Sequence, residues 1–170
     1  MSNGAAMIVG AGDATGGAIA RAFAREGLTA CVTRRARNLE SLAALVAEIE
    51  SEGGKARAFG VDAREEDATI ALVDQIEAEV GPLEVCVFNI GANVRFGITE
   101  TTSRVYHKVW EMAAFSGFLA GREAARLAAA GALATMRNEL GSLDRVRQIV
   151  RLYGTVNATP SFLHHPQVID

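Results

Sequence analysis

Over the first half of the chain, hydrophobic and polar positions switch back and forth between a buried-strand pattern and a helical one. The apolar run Ala5-Ala6-Met7-Ile8-Val9 predicts a short buried strand. After the glycine-rich stretch Gly10 to Gly17, the segment Ala18 to Glu26 predicts a helix that Gly27 ends. Leu28 to Thr33 predicts a second strand. Asn38 stands as the cap of a helix whose Leu39, Leu42, Leu45, Val46 and Ile49 recur at helical spacing up to Gly53-Gly54. Ala56 to Val61 predicts a third strand. Ile70, Val73, Ile76 and Val80 mark the stripe of a further helix, stopped by Gly81-Pro82, and Leu83 to Phe88 predicts a fourth strand. Strands separated by helices of this length need crossover connections, and hence a parallel sheet. The fold class expected is α/β, a Rossmann-like doubly wound parallel sheet.

From Thr101 the pattern changes. Ser103 to Leu140 favours one long helix, and a break is expected at Gly117, Gly121 or Gly131. Val146 to Val156 alternates like a strand, and Pro160 and Pro166 mark an irregular tail. One placement for this last strand is beside the fourth, as the next step of the same sheet.

The stretch between the first strand and helix carries the clearest chemistry. Gly10, Gly12, Asp13 and Gly16 form a turn whose glycines let the backbone approach a diphosphate, while the helix N-terminus behind offers free N–H groups and a partial positive charge. Thr33-Arg34-Arg35 closes the second strand, where such folds often place an acid for a ribose hydroxyl. Arg34 and Arg35 instead suit a 2′-phosphate, so NADP is expected in preference to NAD; the alternative is that both are ordinary surface charges at a strand end. Asp62 and Ala63 follow the third strand, where a carboxylate would stand near an adenine amine. Asn89, Gly91 and Ala92 follow the fourth, putting small residues beside the cofactor. Ligands of open α/β sheets bind at these carboxyl ends.

Composition narrows the picture. With 170 residues, 49% of them apolar, the chain can build one domain or one and a fraction. A net charge of −3 gives no footprint for nucleic acid or an anionic membrane. The two cysteines, Cys31 and Cys86, fall in expected strands and read as core thiols of a reducing compartment. No leader pattern and no bilayer-length apolar run is seen, so a cytoplasmic location is expected. His107, His164 and His165 show no metal-ligand spacing, and no metal site is expected.

Residues 5–126 resemble the N-terminal half of a short-chain dehydrogenase/reductase. The resemblance rests on Val9-Gly10-Ala11-Gly12-Asp13-Ala14-Thr15-Gly16, Asp62, Phe88-Asn89-Ile90-Gly91-Ala92 and Val109-Trp110-Glu111-Met112, in order and suitably separated. It implies a nucleotide-binding oxidoreductase domain, incomplete relative to the whole family fold. It also implies pairing of subunits through the long helix after the fourth strand, where Val105, Val109, Met112 and Phe115 give an apolar stripe. The same stripe would equally pack on the sheet. Two departures stand out. Ala14 replaces the middle glycine of the usual family turn, and Ala113 stands where the family commonly has a catalytic asparagine.

The resemblance further implies a tyrosine with a lysine four residues on, the lysine lowering the phenol pKa for proton transfer. Tyr106 is followed at that spacing by Trp110, and Tyr153 by Asn157. No catalytic residue is therefore assigned, and nucleotide binding without turnover is expected. An oxidoreductase using Tyr106 or Tyr153 unorthodoxly remains the alternative.

From Glu123 to Asp170 the sequence is similar instead to part of the Rid family of reactive-intermediate deaminases. The similarity is carried by Glu123 to Val146, the strand Arg147 to Tyr153, Gly154 to Phe162, and Gln167-Val168-Ile169-Asp170. It implies a chimeric or truncated chain with a seam near Arg126, the parts being 1–126 and 127–170. It also raises the alternative of an imine or enamine deaminase fragment, or of a metabolite-binding oligomer.

Overall fold

The computed structural model describes residues 4–12, 14–91 and 94–148. Four strands form one sheet: β1 (Ala5–Val9), β2 (Thr29–Arg34), β3 (Lys55–Gly60) and β4 (Leu83–Phe88). Their order is β3-β2-β1-β4, and every pairing is parallel. Helices α1 (Thr15–Arg25), α2 (Leu39–Ser51) and α3 (Glu66–Glu79) join them, and α4 (Ser103–Trp110) and α5 (Ser116–Leu140) follow β4. This is the Rossmann-like α/β architecture that the alternating pattern predicts.

Side chains of a strand alternate between the two faces of its sheet, and β1 shows this fully buried. Ala6 and Ile8 enter one core with Val32, Leu42 and Ile49, under α1 and α2. Ala5, Met7 and Val9 enter the other with Cys31, Val73 and Ile76, under α3, and Ala120 of α5 joins them. Burying an aliphatic side chain of this size stabilises by roughly 1.5–3 kcal/mol. Two cores stacked on one strand therefore make β1 the central support of the sheet, and its carboxyl end leads straight into the glycine turn.

Asn38 occupies the position before α2, but its side chain makes no capping bond. A 3-10 turn, Ala36–Asn38, leads into the helix, and Ser41 Oγ donates to the Asn38 carbonyl at 2.9 Å.

The long helix breaks before its glycines. Glu111–Phe115 forms a π turn between α4 and α5, and Gly117, Gly121 and Gly131 all lie within unbroken α5. A Cβ at Gly117 would sit 3.2 Å from the Phe88 ring, so this glycine permits close approach of helix to strand. The irregularity is taken up just upstream, where Ser116 Oγ donates to Met112 O at 2.7 Å.

The chain divides into two compact units, residues 1–130 and 131–170. In the second, α5 ends at Leu140 and Gly141 takes a positive φ of 78°. Ser142 Oγ then caps a 3-10 turn, Leu143–Arg145, accepting the Asp144 N–H at 3.1 Å. Val146, Arg147 and Gln148 form no strand, and the remainder of the expected strand lies outside the described residues. Among the described residues, no helix is long and apolar enough to cross a membrane.

Candidate functional site

The glycine turn is fixed from three sides. Gly10 N–H and Ala11 N–H both donate to the Thr33 carbonyl at 3.1 Å, tying the end of β1 to the end of β2. Gly10 holds φ at 90°, a conformation that side chains strongly disfavour, and a Cβ there would meet Asn89 O at 2.9 Å. Asn89, just after β4, donates from Nδ2 to Gly10 O at 3.1 Å. Gly16, on the first turn of α1, is buried against this loop: a Cβ there would lie 2.6 Å from Gly10 O and 2.7 Å from Ala11 Cα. Gly12 faces open space, with no atom within 4 Å of an added Cβ. The loop is thus compressed beneath and open above, a cradle with room for an anion. Among the described residues no side chain caps α1, and the dipole of its N-terminus bears on the same space. Ala14, which stands where the family pattern has glycine, is exposed and has a φ of −102°.

A cleft of about 250 Å³ opens over this turn. Sites that enclose a drug-sized ligand are usually ~300–1,000 Å³, so this cleft lies just below that range. Of the expected residues, Gly10, Gly12, Arg34, Arg35, Asp62, Ala63, Asn89 and Gly91 line it. Gly16 lies beneath the turn rather than in the lining. Asp13 and Ala92 lie outside the described residues. The carboxyl ends of all four strands therefore meet at one place, as the parallel topology requires.

The sequence reading missed Thr33, Asn38, Val61, Arg64, Ile90, Met112 and Ser116, which also line the cleft. Met112 and Ser116 get there through the π turn, which no periodicity announces. Arg64 had a local signal in the Asp-Ala-Arg spacing, since the chain turns at Asp62, whose carbonyl accepts Glu65 N–H at 3.0 Å.

Charge in the cleft is arranged in two places. Arg34 Nη1 donates to Ser41 Oγ at 3.0 Å, which steadies the guanidinium at the end of β2. Asp62 pairs with Arg64, whose Nη2 and Nε lie 2.6 Å and 2.9 Å from its oxygens. Those hydrogen bonds, with Arg35 adding a favourable charge, hold the Asp62 carboxyl below the usual carboxylate range.

The described candidates for chemistry outside the cleft are Tyr106, Cys31 and Cys86. Tyr106 is exposed on α4, its ring edge on His107 at 5.9 Å between centroids. Ala113 is half-buried within the π turn. Burial pushes the Cys31 thiol up to about 11 and raises that of Cys86, so neither is a ready nucleophile. Tyr153, His164 and His165 lie outside the described residues. Among the described residues, no cluster of His, Cys, Asp and Glu could hold a metal ion.

A four-stranded parallel sheet flanked by helices, with a glycine turn after its first strand, defines a Rossmann-type α/β protein. The short chain dehydrogenase family model matches residues 4–148, and the chain belongs to that family. A crystal structure of a short-chain dehydrogenase from Rhodopseudomonas palustris is 51% identical, with a TM-score of 0.72 over 77% of this chain and 60% of that one. A metagenomic short-chain oxidoreductase in complex with NADP is 27% identical, with a TM-score of 0.67 over 72% of this chain and 55% of that one. A short chain dehydrogenase of Pseudocercospora fijiensis is 41% identical over 93 residues, which is 54% of this chain and 29% of that protein. The chain thus spans between about a third and three-fifths of these relatives' lengths. The family match also runs on past Arg126, through residues 127–148, where the Rid-like reading had placed a different family. The rest of that segment, 149–170, lies outside the described residues.

Proposed function

We propose that this chain binds NADP in the cleft at the carboxyl ends of β1 to β4, and that as it stands it does not carry out turnover. The observation that carries the reading is the convergence on one cleft of the glycine cradle, two arginines closing β2 and a carboxylate closing β3. Gly10, Gly12 and Gly16 with the α1 N-terminus would hold the diphosphate. Arg34 and Arg35 would pair with the 2′-phosphate, for which a planar guanidinium is suited. Asp62 and Ala63 would face the base, and Asn89, Gly91 and Ala92 the rest of the dinucleotide. Bound NADP would supply or accept a hydride. A proton partner for that hydride would be needed at the substrate oxygen, and neither Tyr106 nor Tyr153 has a lysine four residues on to lower its pKa.

The bound form of the metagenomic relative supports NADP as the ligand class. The basic pair at the end of β2 supports NADP over NAD. A cytoplasmic location fits such a protein. Tyr106, Trp110 and Phe118 are exposed apolar rings on α4 and α5, and support self-association through that helix pair. A Phe118→Glu change should then lower the mass measured by light scattering.

The test is calorimetric titration with NADP and NAD beside a carbonyl-reduction screen with NADPH. Saturable NADP binding, weaker NAD binding and no reduction above background are expected. Absence of binding to either nucleotide overturns the first half of the proposal, and steady NADPH oxidation overturns the second.

A further inference from the structure

Trp110 and Phe115 stack, with ring centroids 5.5 Å apart and planes at 21°. They stand five positions apart in the chain. On a regular α-helix, residues at that spacing point about 140° away from each other, so their rings would not meet. They meet here because the π turn Glu111–Phe115 lies between them, closed by the Ser116 N–H on the Glu111 carbonyl. The row of rings goes on: Phe115 lies 6.4 Å from Phe118, and the Arg122 guanidinium sits 5.6 Å over the Phe118 ring. Arg122 Nη1 in turn lies 2.8 Å from Glu66 Oε1, so the far end of the row is tied to α3. The same turn serves the cleft. Met112 and Ser116 both line it, Ser116 is fully buried, and its hydroxyl donates to the Met112 carbonyl at 2.7 Å.

We infer that Phe115 is a positioning residue for the cleft: its ring, stacked on Trp110, holds the turn wide and so keeps Met112 and Ser116 where a bound nucleotide meets them. The inference rests on the nucleotide-binding reading above. A stacked ring pair stabilises beyond the area it buries, and this pair exists only while the turn is wide. Relaxing the turn to an α-helical path separates the rings and re-aims the cleft wall in one movement. Coupling of this kind is reciprocal. Whatever favours the wide turn from the cleft side also favours the ring stack, and the stack favours the bound nucleotide. Neither Trp110 nor Phe115 lines the cleft, so both act through the turn alone. The effect is blind to the 2′-phosphate, because Arg34 and Arg35 stand at the end of β2.

The experiment titrates the full chain with NADP and NAD by calorimetry and follows intrinsic fluorescence at fixed protein concentration. Trp110 is the only tryptophan of the chain, so the emission reports the stack itself. NADP should change that emission in the wild type. Phe115→Leu should weaken NADP and NAD alike by about two- to tenfold, the scale of one lost ring pair. Phe115→Tyr keeps the ring and should restore both affinities, which a merely structural role does not require. Trp110→Leu removes the other, exposed ring and should weaken binding to the same degree. The double change Trp110→Leu, Phe115→Leu should bind no worse than either single one, because the rings act as a unit. Unchanged affinity in Phe115→Leu and Trp110→Leu overturns the inference and leaves nucleotide binding intact. So do additive losses in the double variant, or wild-type emission that stays constant as NADP saturates the chain. A wild type that binds neither nucleotide overturns the nucleotide reading, and this inference with it.

Discussion

Asn89 Nδ2 donates to the Gly10 carbonyl at 3.1 Å, so the residue that follows β4 holds shut the turn that follows β1. The backbone reinforces this link, with Asn89 N–H bonded to Val9 O at 2.8 Å. Removing the side-chain donor by Asn89→Ala should cost about 1 kcal/mol of stability. It should weaken NADP binding more than it lowers the melting temperature would suggest, because the cradle loses its shape. Paired calorimetric titration and thermal melts would show this, and equal binding by the variant would contradict it.

Gly16 and Ala14 make opposite predictions only two positions apart. At Gly16 an added Cβ would press on backbone atoms of Gly10 and Ala11, which cannot rotate away. Gly16→Ala should destabilise by roughly 1–3 kcal/mol, the usual scale of overpacking, and abolish nucleotide binding. Ala14 is exposed with a negative φ, so Ala14→Gly should leave affinity within a few-fold of wild type. Chemical denaturation and titration of both variants test the pair.

Arg34 and Arg35 line the same cleft, and a charge-assisted hydrogen bond is worth about 1.5–3 kcal/mol. The double change Arg34→Ala, Arg35→Ala should therefore weaken NADP about tenfold to a hundredfold and leave NAD nearly unchanged. Titration at two salt concentrations would separate the specific loss from a general loss of positive potential.

Glu123 is buried on α5 between two guanidiniums, with Arg126 Nε at 2.7 Å and Arg122 Nε at 3.0 Å. Both arginines reach on to α3, Arg122 to Glu66 and Arg126 to Asp74. Hydrogen bonding from Arg126, and then from Arg122, holds the Glu123 carboxyl below its usual range. The folded protein therefore binds this proton more weakly than the unfolded chain does. The resulting stability is complete above an ordinary glutamate pKa of about 4.3, and is lost as pH falls through the lower folded value. Glu123→Gln should lower the melting temperature at neutral pH by a few degrees, and the gap from wild type should close on acidification. Asp62 obeys the same sign.

Much of this was legible in the chain itself, for physical reasons. Met7-Ile8-Val9 is apolar without interruption because β1 is buried on both faces. Leu42, Leu45 and Ile49 repeat at helical spacing because α2 buries one stripe. The cleft residues at strand ends follow from parallel topology once the strands are placed. Other features have no one-dimensional signature. The π turn Glu111–Phe115 follows no hydrophobic period that a sequence displays. Arg64 entered the cleft because its partner Asp62 is two residues away at a turn, a pairing that helical or strand periodicity does not register. Asn38 had the right side chain for a cap, but a 3-10 turn precedes α2 and the Asn38 side chain makes no capping bond.

The five residues from Glu111 to Phe115 hold one residue more than an α-helical path of the same height. Each residue of an α-helix advances the face by about 100°, so everything downstream of the wide turn is phased by that single surplus position. Ser116 and Leu119 owe their inward facing to it. Deleting Ala114 would let the two helices run on as one, and would swing Leu119 and Ala120 off the sheet while turning Glu123 away from its arginines. One surplus alanine therefore sets the rotational phase of a whole helix, and a one-codon deletion here would do more damage than most substitutions in the core.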